Sequence, residues 1–421
     1  MKLAKYYSRY MGFPRSIYIL FFAITVNRFG NFVIPFLSMY LTKNLNFNTD
    51  KTGFLVMLAS LAGIPGLFLG GLLVDRIGRK RILALFQFLS ACCFIPCALN
   101  PVSSVVPWLM ILSVLFAETA QVAHGAMVSD LTCNENRKEA YSLIYLGINL
   151  GFSIGPILAG FLFNSHIRLF FLIDSMTTLF SVLLIALFTH ETLPDKKAMA
   201  QLENRHDCDE RQERGSIFGV LLKRPLLPAF LVLNLFYFFV YSQHTFSMPL
   251  YLDHLFAEGG SQAYGIMMTV NAVFVVLATT LMTTLTRNNN AIANIAIAGL
   301  LYAAGFGMLF FVSSFGMFIV STIIWTAGEI LSMVNMNVYT AQHSPISHRG
   351  RFNSARLLFG RAGMAMGPFI MGFVIKSWGI RSVWLLVFLL AVCGSAGAFL
   401  MNLAERRSLN GGTAEPADIG G

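Results

Sequence analysis

Six strongly ionisable side chains stand inside long apolar stretches of the chain, where a charge is costly unless it is paired or hydrated. Three are basic and three are acidic, so their formal charges cancel: Arg28, Arg356, Arg361, Glu118, Asp174 and Glu329. A carboxylate in such surroundings can hold a proton while it is shielded and release it when water reaches it. We therefore expect proton binding, ion pairing or recognition of a charged solute from this set.

Glu118 and Glu329 are the main candidates for a proton carrier. They lie in the segments LFAETAQVAHGAMVSD and WTAGEILSMVNMNVYTAQHSP, and Asn337 follows Glu329 by about two helical turns. Arg28 lies halfway along the first apolar stretch, where it can pair with Glu118 or meet a substrate. A structural salt bridge is the alternative role for each glutamate.

Five further residues are candidates for the same site. Asp174 lies near the outer end of its apolar stretch, a position that favours a structural ion pair. Arg361 coincides with Asn149 under the internal repeat described below, and it either binds an anionic group or neutralises a glutamate. Gln243 and His244 either line a binding site or are hydrogen-bonded within the protein.

The composition requires a membrane around these residues. Of the 421 residues, 56% are hydrophobic, 12% are charged and 39 are Phe, whereas a soluble domain carries about 25% charged residues. These values exclude an ordinary soluble enzyme, a disordered chain and a fibrous protein. The net charge of +10 is carried in short loops and not in a basic segment interleaved with aromatics, so we expect no nucleic-acid partner.

Apolar stretches of about 20 residues, long enough to cross a bilayer, predict twelve transmembrane helices. With both termini in the cytoplasm, most of the 30 Lys and Arg fall on the cytoplasmic side, as the positive-inside rule requires. We expect a multi-pass protein of a bacterial cytoplasmic (inner) membrane. The predicted spans lie near 14–41, 51–75, 81–99, 104–129, 138–163, 168–189, 225–253, 261–286, 290–312, 316–340, 349–376 and 380–403.

The chain also contains an internal repeat. A shift of 212 residues places LGINLGFSIGPILAGF (146–161) on LFGRAGMAMGPFIMGF (358–373), with six of 16 positions identical. Parallel repeats of this kind are typical of transporters whose substrate site lies near the midplane between the halves. We predict two six-helix halves with a linker and a disordered tail: 1–190, 191–224, 225–407 and 408–421.

A polar loop follows the second predicted span, with the sequence GGLLVDRIGRKRIL. It resembles the cytoplasmic loop signature of the major facilitator superfamily, and the resemblance extends to the twelve spans, two halves and long central loop. The family resemblance implies an all-α membrane protein with two pseudo-symmetric six-helix bundles. The residues that match the signature are Gly71, Asp75, Arg76, Gly78, Arg79 and Lys80.

The resemblance implies a cytoplasmic gate at this loop. Asp75 would contact the start of the eleventh helix, and the basic residues after it would form a charge clasp. Arg356 would serve the same gate, while Gly71 would allow close helix approach. A positive-inside anchor is the alternative role for the loop.

The fifth span resembles the antiporter motif of proton-coupled facilitator exporters. Its glycines, four residues apart, make a smooth face for another helix, and its proline bends the span. Simple close packing is the alternative. The motif residues are Gly147, Gly151, Gly155, Pro156 and Gly160.

These resemblances imply a secondary transporter, not an enzyme, that works by alternating access. Proton-coupled export of small amphipathic compounds, similar to bacterial multidrug efflux, is the favoured activity. The fourth span departs from the drug-exporter pattern, because it carries Glu118 and no arginine. The alternative is a dedicated transporter of one anionic or zwitterionic solute, lipid or peptide. We expect a monomer in contact with membrane lipids, with protons as the coupling ion and no cofactor or metal.

Overall fold

The computed structural model describes residues 12–132, 136–193, 226–343 and 349–411. The helices of the first half are α1 (Arg15–Gly30), α2 (Leu37–Lys43), α3 (Thr49–Ile77), α4 (Arg79–Leu99), α5 (Val106–Asp130), α6 (Arg137–Ser165) and α7 (Ile167–Phe188). Those of the second half are α8 (Leu226–Tyr241), α9 (Ser247–Phe256), α10 (Gly260–Leu285), α11 (Ala291–Gly307), α12 (Phe315–His343), α13 (Arg349–Trp378) and α14 (Ser382–Gly411).

The prediction of an all-α membrane fold is confirmed, and the count of twelve spans holds approximately. Within the described ranges, ten stretches are long and apolar enough to cross a membrane. One of them, residues 226–285, covers two predicted spans. The first predicted span is divided between α1 and α2, and α1 has only 16 residues.

The structure describes only parts of the predicted tail and of the predicted linker. Helix α14 continues to Gly411, so residues 408–411, expected in the disordered tail, are helical. The predicted linker lies outside the described residues from position 194 onward.

The first and seventh spans are interrupted, whereas the sequence predicts each as one continuous stretch. Residues 31–36 separate α1 from α2, and residues 242–246 separate α8 from α9. Pro35 lies in the first interruption and Pro249 lies just after the second. Because proline supplies no backbone N–H, each removes a hydrogen bond that a continuous helix would make.

The described chain groups into two compact units. The larger unit contains residues 12–132, 136–193, 242–276 and 364–383, and the smaller contains residues 226–241, 277–343, 349–363 and 384–411. In the larger unit, α1 packs on α6 and α7, while α5 packs on α3 and α4. In the smaller unit, α11 packs along α12.

The start of α2 contacts the second interruption inside the larger unit. The Ser38 hydroxyl donates to the carbonyl oxygens of Thr245 at 3.2 Å and Phe246 at 3.1 Å. In an unbroken helix the Thr245 carbonyl would accept from residue 249, which is Pro249 and has no N–H. The hydroxyl of the first span therefore satisfies a backbone acceptor that the proline of the seventh leaves open.

Close backbone contacts also join helices from both sequence halves within this unit, at the start of α3. A Cβ atom at Gly53 would overlap the Pro368 carbonyl, and one at Gly372 would overlap the Thr49 carbonyl. Ion pairs flank these contacts, with Lys43 Nζ to Asp253 Oδ1 at 2.9 Å and Lys376 Nζ to Asp50 Oδ2 at 2.8 Å. The end of α2 and the start of α3 are thereby held against α9 and α13.

Candidate functional site

Arg28 lies in the last turn of α1, directly before the first interruption. Its Nη2 donates to Gln121 Oε1 at 3.4 Å, and its guanidinium lies 5.8 Å from the ring centre of Phe152. Its Nε is buried and has no hydrogen-bond partner among the described residues. The carboxylates of Glu118 and Asp174 both interact with it electrostatically. Two predicted acidic residues, Glu118 and Asp174, thus lie within electrostatic range of the Arg28 guanidinium.

Asp174 is buried and serves the interrupted span. Its Oδ2 accepts the backbone N–H of Val33 at 3.2 Å, inside the gap between α1 and α2. On the same face, Asn27 Nδ2 donates to Thr178 Oγ1 at 3.0 Å. These hydrogen bonds replace some of the helical hydrogen bonds that the interruption removes, which supports a structural role for Asp174.

Glu329 is half-buried on α12 in the smaller unit. Its Oε1 accepts the hydroxyl of Tyr241, the last residue of α8, at 2.7 Å. The Tyr241 ring lies beside Tyr302 and Trp325, with ring centres 6.5 and 6.4 Å apart. The second glutamate is therefore bonded at the end of α8, just as the first lies near the end of α1.

Asn337 and Arg356 contact each other in the smaller unit. Arg356 Nη2 donates to Asn337 Oδ1 at 3.0 Å, and Asn234 Nδ2 donates to the Arg356 carbonyl at 2.9 Å. Asn337, expected beside Glu329, is hence a partner of Arg356. Arg361 is half-buried further along α13.

Asn149 and Gln243 have hydrogen-bond partners nearby in the chain. Asn149 Nδ2 donates to the Tyr145 carbonyl at 2.8 Å, within α6. Gln243 accepts from Ser247 at 2.7 Å, which stabilises the second interruption from within. His244 is buried in the same short 3₁₀ segment.

Arg79 occupies the centre of the loop signature and is buried. Its Nε donates to Asp130 Oδ2 at 3.0 Å, its Nη2 is 3.1 Å from Asp75 Oδ1, and its Nη1 donates to the Val74 carbonyl at 3.1 Å. The guanidinium thus joins the ends of α3 and α5 to the start of α4. Arg76 is exposed, and the contact of Asp75 with the eleventh span stays a prediction.

Glu191 completes this corner of the larger unit. Its Oε1 accepts the backbone N–H groups of Arg79 at 2.7 Å and Lys80 at 3.3 Å, at the start of α4. Burial alone would raise the pKa of Glu191, but the N–H groups of Leu193, Lys80, Arg79 and Thr192 together hold that pKa below its usual value. Gly78, at φ 119°, has no Cβ to overlap the carboxylate. Lys80 Nζ donates to the Ala186 and Thr189 carbonyls, both at 2.8 Å.

The motif glycines of α6 pack against α1. A Cβ at Gly155 would overlap the Phe29 carbonyl, and one at Gly151 would overlap the backbone of Thr25 and Arg28. Gly147 meets the Thr25 side chain in the same way. The row therefore fixes the helix that carries Arg28.

The other end of this motif packs against α10. A Cβ at Gly160 would overlap the Ser261 carbonyl, and the Pro156 carbonyl lies against Gly265. Close approach at the loop signature occurs at Gly70, since a Cβ at Gly71 would meet nothing within 4 Å. The expectation for Gly71 is corrected accordingly, because Gly70 is the residue whose face of α3 turns toward α5.

Sequence reasoning missed several partners in these clusters. Each of these partners contacts residues that are distant in the sequence, so no local spacing predicts the contact. The partners are Gln121, Tyr241, Asp130 and Glu191. One signal was available for Tyr241, which lies in the aromatic run FYFFVYSQHTF. No group of three or more His, Cys, Asp or Glu suited to a metal ion occurs among the residues that the structure describes.

Comparison with known proteins gives the following matches. The family model described as Major Facilitator Superfamily matches residues 20–345 and again 259–418. An uncharacterized MFS-type transporter of Bacillus subtilis, YqjV, is 26% identical over 82% of this chain and 82% of its own. A Na(+), Li(+), K(+)/H(+) antiporter of Planococcus maritimus is 23% identical over 80% of this chain and 84% of its own.

Two further similarities are shorter or lower in sequence identity. The quinolone resistance protein NorA of Staphylococcus aureus is 25% identical over 41% of this chain and 45% of its own. A crystal structure of a POT family transporter with a thioalcohol-conjugated peptide has a TM-score of 0.76 at 15% identity, covering 94% of this chain and 97% of that one. The latter likeness concerns the fold alone.

Proposed function

The chain belongs to the Major Facilitator Superfamily of transporters, and from this premise we propose that it exports small amphipathic compounds in exchange for protons. The observation that carries the proposal is the placement of two half-buried glutamates, Glu118 and Glu329, in the fourth and tenth spans. Glu118 lies near the last turn of α1, which precedes the first interruption. Glu329 lies near the last turn of α8, which precedes the second interruption. The partners there are Arg28 on α1 and Tyr241 on α8.

The coupling follows from that placement. A carboxylate near Arg28 favours its charged form, because an opposite charge stabilises it. Movement of the α1 end away from Glu118, or of the α8 end away from Glu329, removes that stabilisation and favours proton uptake. Alternating access would thus change proton affinity through the positions of two helix ends. The relatives named as a cation/proton antiporter and a quinolone resistance protein agree with exchange and with drug export.

The test uses purified protein in liposomes with an imposed proton gradient. Uptake of a fluorescent lipophilic cation is followed in wild type, Glu118→Gln and Glu329→Gln. We expect loss of gradient-driven uptake in at least one of the two variants. Glu258→Gln is the matched control, since this exposed carboxylate lies in the short segment after α9. Wild-type uptake in both glutamate variants would contradict proton carriage by either residue.

A dedicated carrier of one anionic or zwitterionic solute is the second candidate. It is favoured by Arg28, whose buried Nε has no hydrogen-bond partner among the described residues. A solute carboxylate would satisfy that donor, and such a charge-assisted bond is strong in a shielded site. One high-affinity ligand whose binding is lost in Arg28→Gln, with no competition among diverse cations, would favour this candidate.

A further inference from the structure

His124 is a buried histidine on α5, nearly two helical turns after Glu118. The residue is only 3% exposed, and its imidazole hydrogen-bonds the backbone carbonyl of Leu20 on α1. Its Nε2 is buried and has no hydrogen-bond partner among the residues that the structure describes, so the bond to Leu20 is made by Nδ1. Since a neutral imidazole has one donor and one acceptor nitrogen, Nε2 is an acceptor that no donor satisfies.

The Arg28 guanidinium offers the complementary group. Its Nε is a buried donor without a hydrogen-bond partner in the described ranges, and its charge lies within electrostatic range of the His124 ring. Its Nη2 is bonded to Gln121, which lies one helical turn before His124 on α5. A buried polar atom without a hydrogen bond is costly. A ligand that satisfies both Nε of Arg28 and Nε2 of His124 therefore gains affinity from each.

The surroundings of these two atoms suit an amphipathic ligand. Helix α1 packs mainly on α6 and α7 and only lightly on α5, so the α1–α5 interface is the looser side of α1. Glu118 is half-buried and Gln121 is exposed, which places this interface at an exposed face of α5. The Phe152 ring on α6 lies 5.8 Å from the Arg28 guanidinium. The cluster thus combines an apolar ring with buried polar atoms.

The two unsatisfied atoms also restrict the kind of polar group that fits. A carboxylate can accept from Arg28 Nε, but it has no hydrogen to donate to His124 Nε2. An ammonium group can donate to His124 Nε2, but it has no lone pair for Arg28 Nε. An uncharged hydroxyl or amide N–H group close to an acceptor oxygen satisfies both atoms.

We propose that Arg28 Nε and His124 Nε2 together select solutes that carry an uncharged hydrogen-bond donor close to an acceptor oxygen on an apolar body. Phenols and amides are examples of this class. His124 accepts the hydrogen bond of the solute, and Arg28 donates one to its oxygen. The inference rests on the proposed function, because it names the class of amphipathic compound that is exchanged for protons. It also separates the two candidate functions, since a carrier of carboxylates has no use for the His124 acceptor.

Two probes that differ by one donor hydrogen test this selection. Butyl 4-hydroxybenzoate has a phenol group and an ester carbonyl, whereas its O-methyl ether keeps the oxygens and lacks the donor. Binding of each probe to the purified full-length protein in detergent is measured by calorimetry near neutral pH. We expect wild type to prefer the phenol about three- to tenfold, the effect of one hydrogen bond. The ratio of the two affinities is compared among variants, because partition of the probes into micelles is the same for all of them.

Two substitutions of His124 separate recognition of the solute from anchoring of α1. The amide of Asn reaches the place of Nδ1, so His124→Asn keeps a donor for the Leu20 carbonyl and should abolish the preference for the phenol. The amide of Gln reaches the place of Nε2, so His124→Gln supplies an acceptor oxygen there and should retain the preference. Arg28→Gln should weaken both probes alike, because both keep the acceptor oxygens. His254→Asn, which changes an exposed histidine on α9, is the matched control and should behave as wild type.

The unfolding midpoint of each variant shows that it is folded. The inference is overturned if wild type does not distinguish the two probes, or if His124→Asn keeps the preference for the phenol. Because binding is measured without a proton gradient, it is independent of the uptake experiment. A preference for the phenol without gradient-driven uptake would retain this selection and contradict exchange. Gradient-driven uptake without the preference would contradict the selection alone.

Discussion

Glu329 accepts a hydrogen bond of 2.7 Å from the hydroxyl of Tyr241, the last residue of α8. A hydrogen bond to a charged group contributes about 1.5–3 kcal/mol. Loss of this bond would therefore measurably weaken the connection between the end of α8 and α12.

Tyr241→Phe isolates this bond. We expect gradient-driven uptake to change by about tenfold, because about 1.4 kcal/mol corresponds to that factor. In a Glu329→Gln background the same substitution should have little further effect, since the carboxylate it acts on is already gone. Proteoliposome uptake in the two single variants and the double variant measures the coupling. Additive effects would show that Tyr241 acts independently of Glu329.

Glu191 gives a pH dependence at the residue scale. Its pKa in the folded protein lies below the usual value of 4.5, with burial opposing and four backbone N–H groups favouring the shift. A lowered folded pKa stabilises the protein above the unfolded pKa, and this stabilisation is lost as the pH falls through the folded value. We expect Glu191→Gln to lower the unfolding midpoint at pH 7 and to have a smaller effect below about pH 4.

Thermal unfolding at several pH values measures this difference. Glu258→Gln is again a suitable control, because its carboxylate is exposed. An equal loss of stability by Glu191→Gln at pH 7 and well below pH 4 would show that the charge of Glu191 does not cap α4.

At the scale of the element, the glycine row of α6 sets how closely α1 approaches. Gly155 lies against the Phe29 carbonyl, one residue from Arg28. A methyl group there cannot be accommodated by a rotating side chain, since the obstacle is backbone. The row therefore positions the guanidinium as well as packing the helices.

Gly155→Ala should destabilise the protein by about 1–3 kcal/mol, the usual cost of overpacking. Gly125→Ala makes the same change in α5, where a Cβ would meet nothing within 4 Å. That control should be neutral or stabilising by about 0.5–1 kcal/mol, because alanine favours helix. Unfolding midpoints in detergent give the comparison. Equal midpoints for both variants would contradict close packing at Gly155.

Most spans could be placed from the sequence because length and hydrophobicity alone decide them. The sixth was predicted at 168–189 and is α7, Ile167–Phe188. The interruptions could not be predicted in this way, since Pro65 and Pro156 lie inside continuous helices. The interruption at Pro35 differs because a tertiary contact stabilises it. The buried carboxylate of Asp174 on α7 accepts the backbone N–H of Val33 there.

The candidate site was predicted in part for the same reason. Apolar surroundings make Arg28 and Glu118 visible in the sequence, because a charge stands out there. The partners of Arg28, Gln121 and Phe152, do not stand out, since a polar residue near a helix face or a phenylalanine in a membrane is common.

At the scale of the whole molecule, helices from both sequence halves are joined by ion pairs and backbone contacts at the end of α2 and the start of α3. Such contacts must separate if a transporter of this family is to open at this end. Exposed ion pairs contribute only about 0–1 kcal/mol each. Ion pairs this weak can form and break in every transport cycle.

Covalent linkage across this contact should arrest transport. In a variant without the native cysteines, Lys43→Cys with Asp253→Cys replaces an ion pair of 2.9 Å, and a short bis-methanethiosulfonate can bridge the two thiols. We expect uptake to fall to background after treatment and to recover after reduction. The single variant Lys43→Cys, treated alike, should transport normally. Undiminished uptake by the bridged protein would contradict separation of these ends.

The contact of Ser38 with the second interruption has a consequence for how relatives of this chain can diverge in length. Ser38 lies two residues after the first interruption and donates to the carbonyl oxygens of Thr245 and Phe246. A residue inserted between the first interruption and Ser38, or within residues 242–246, would turn one side of this contact away from the other. Insertions and deletions are thus expected to accumulate in the loops of homologous chains, away from both sides of this contact.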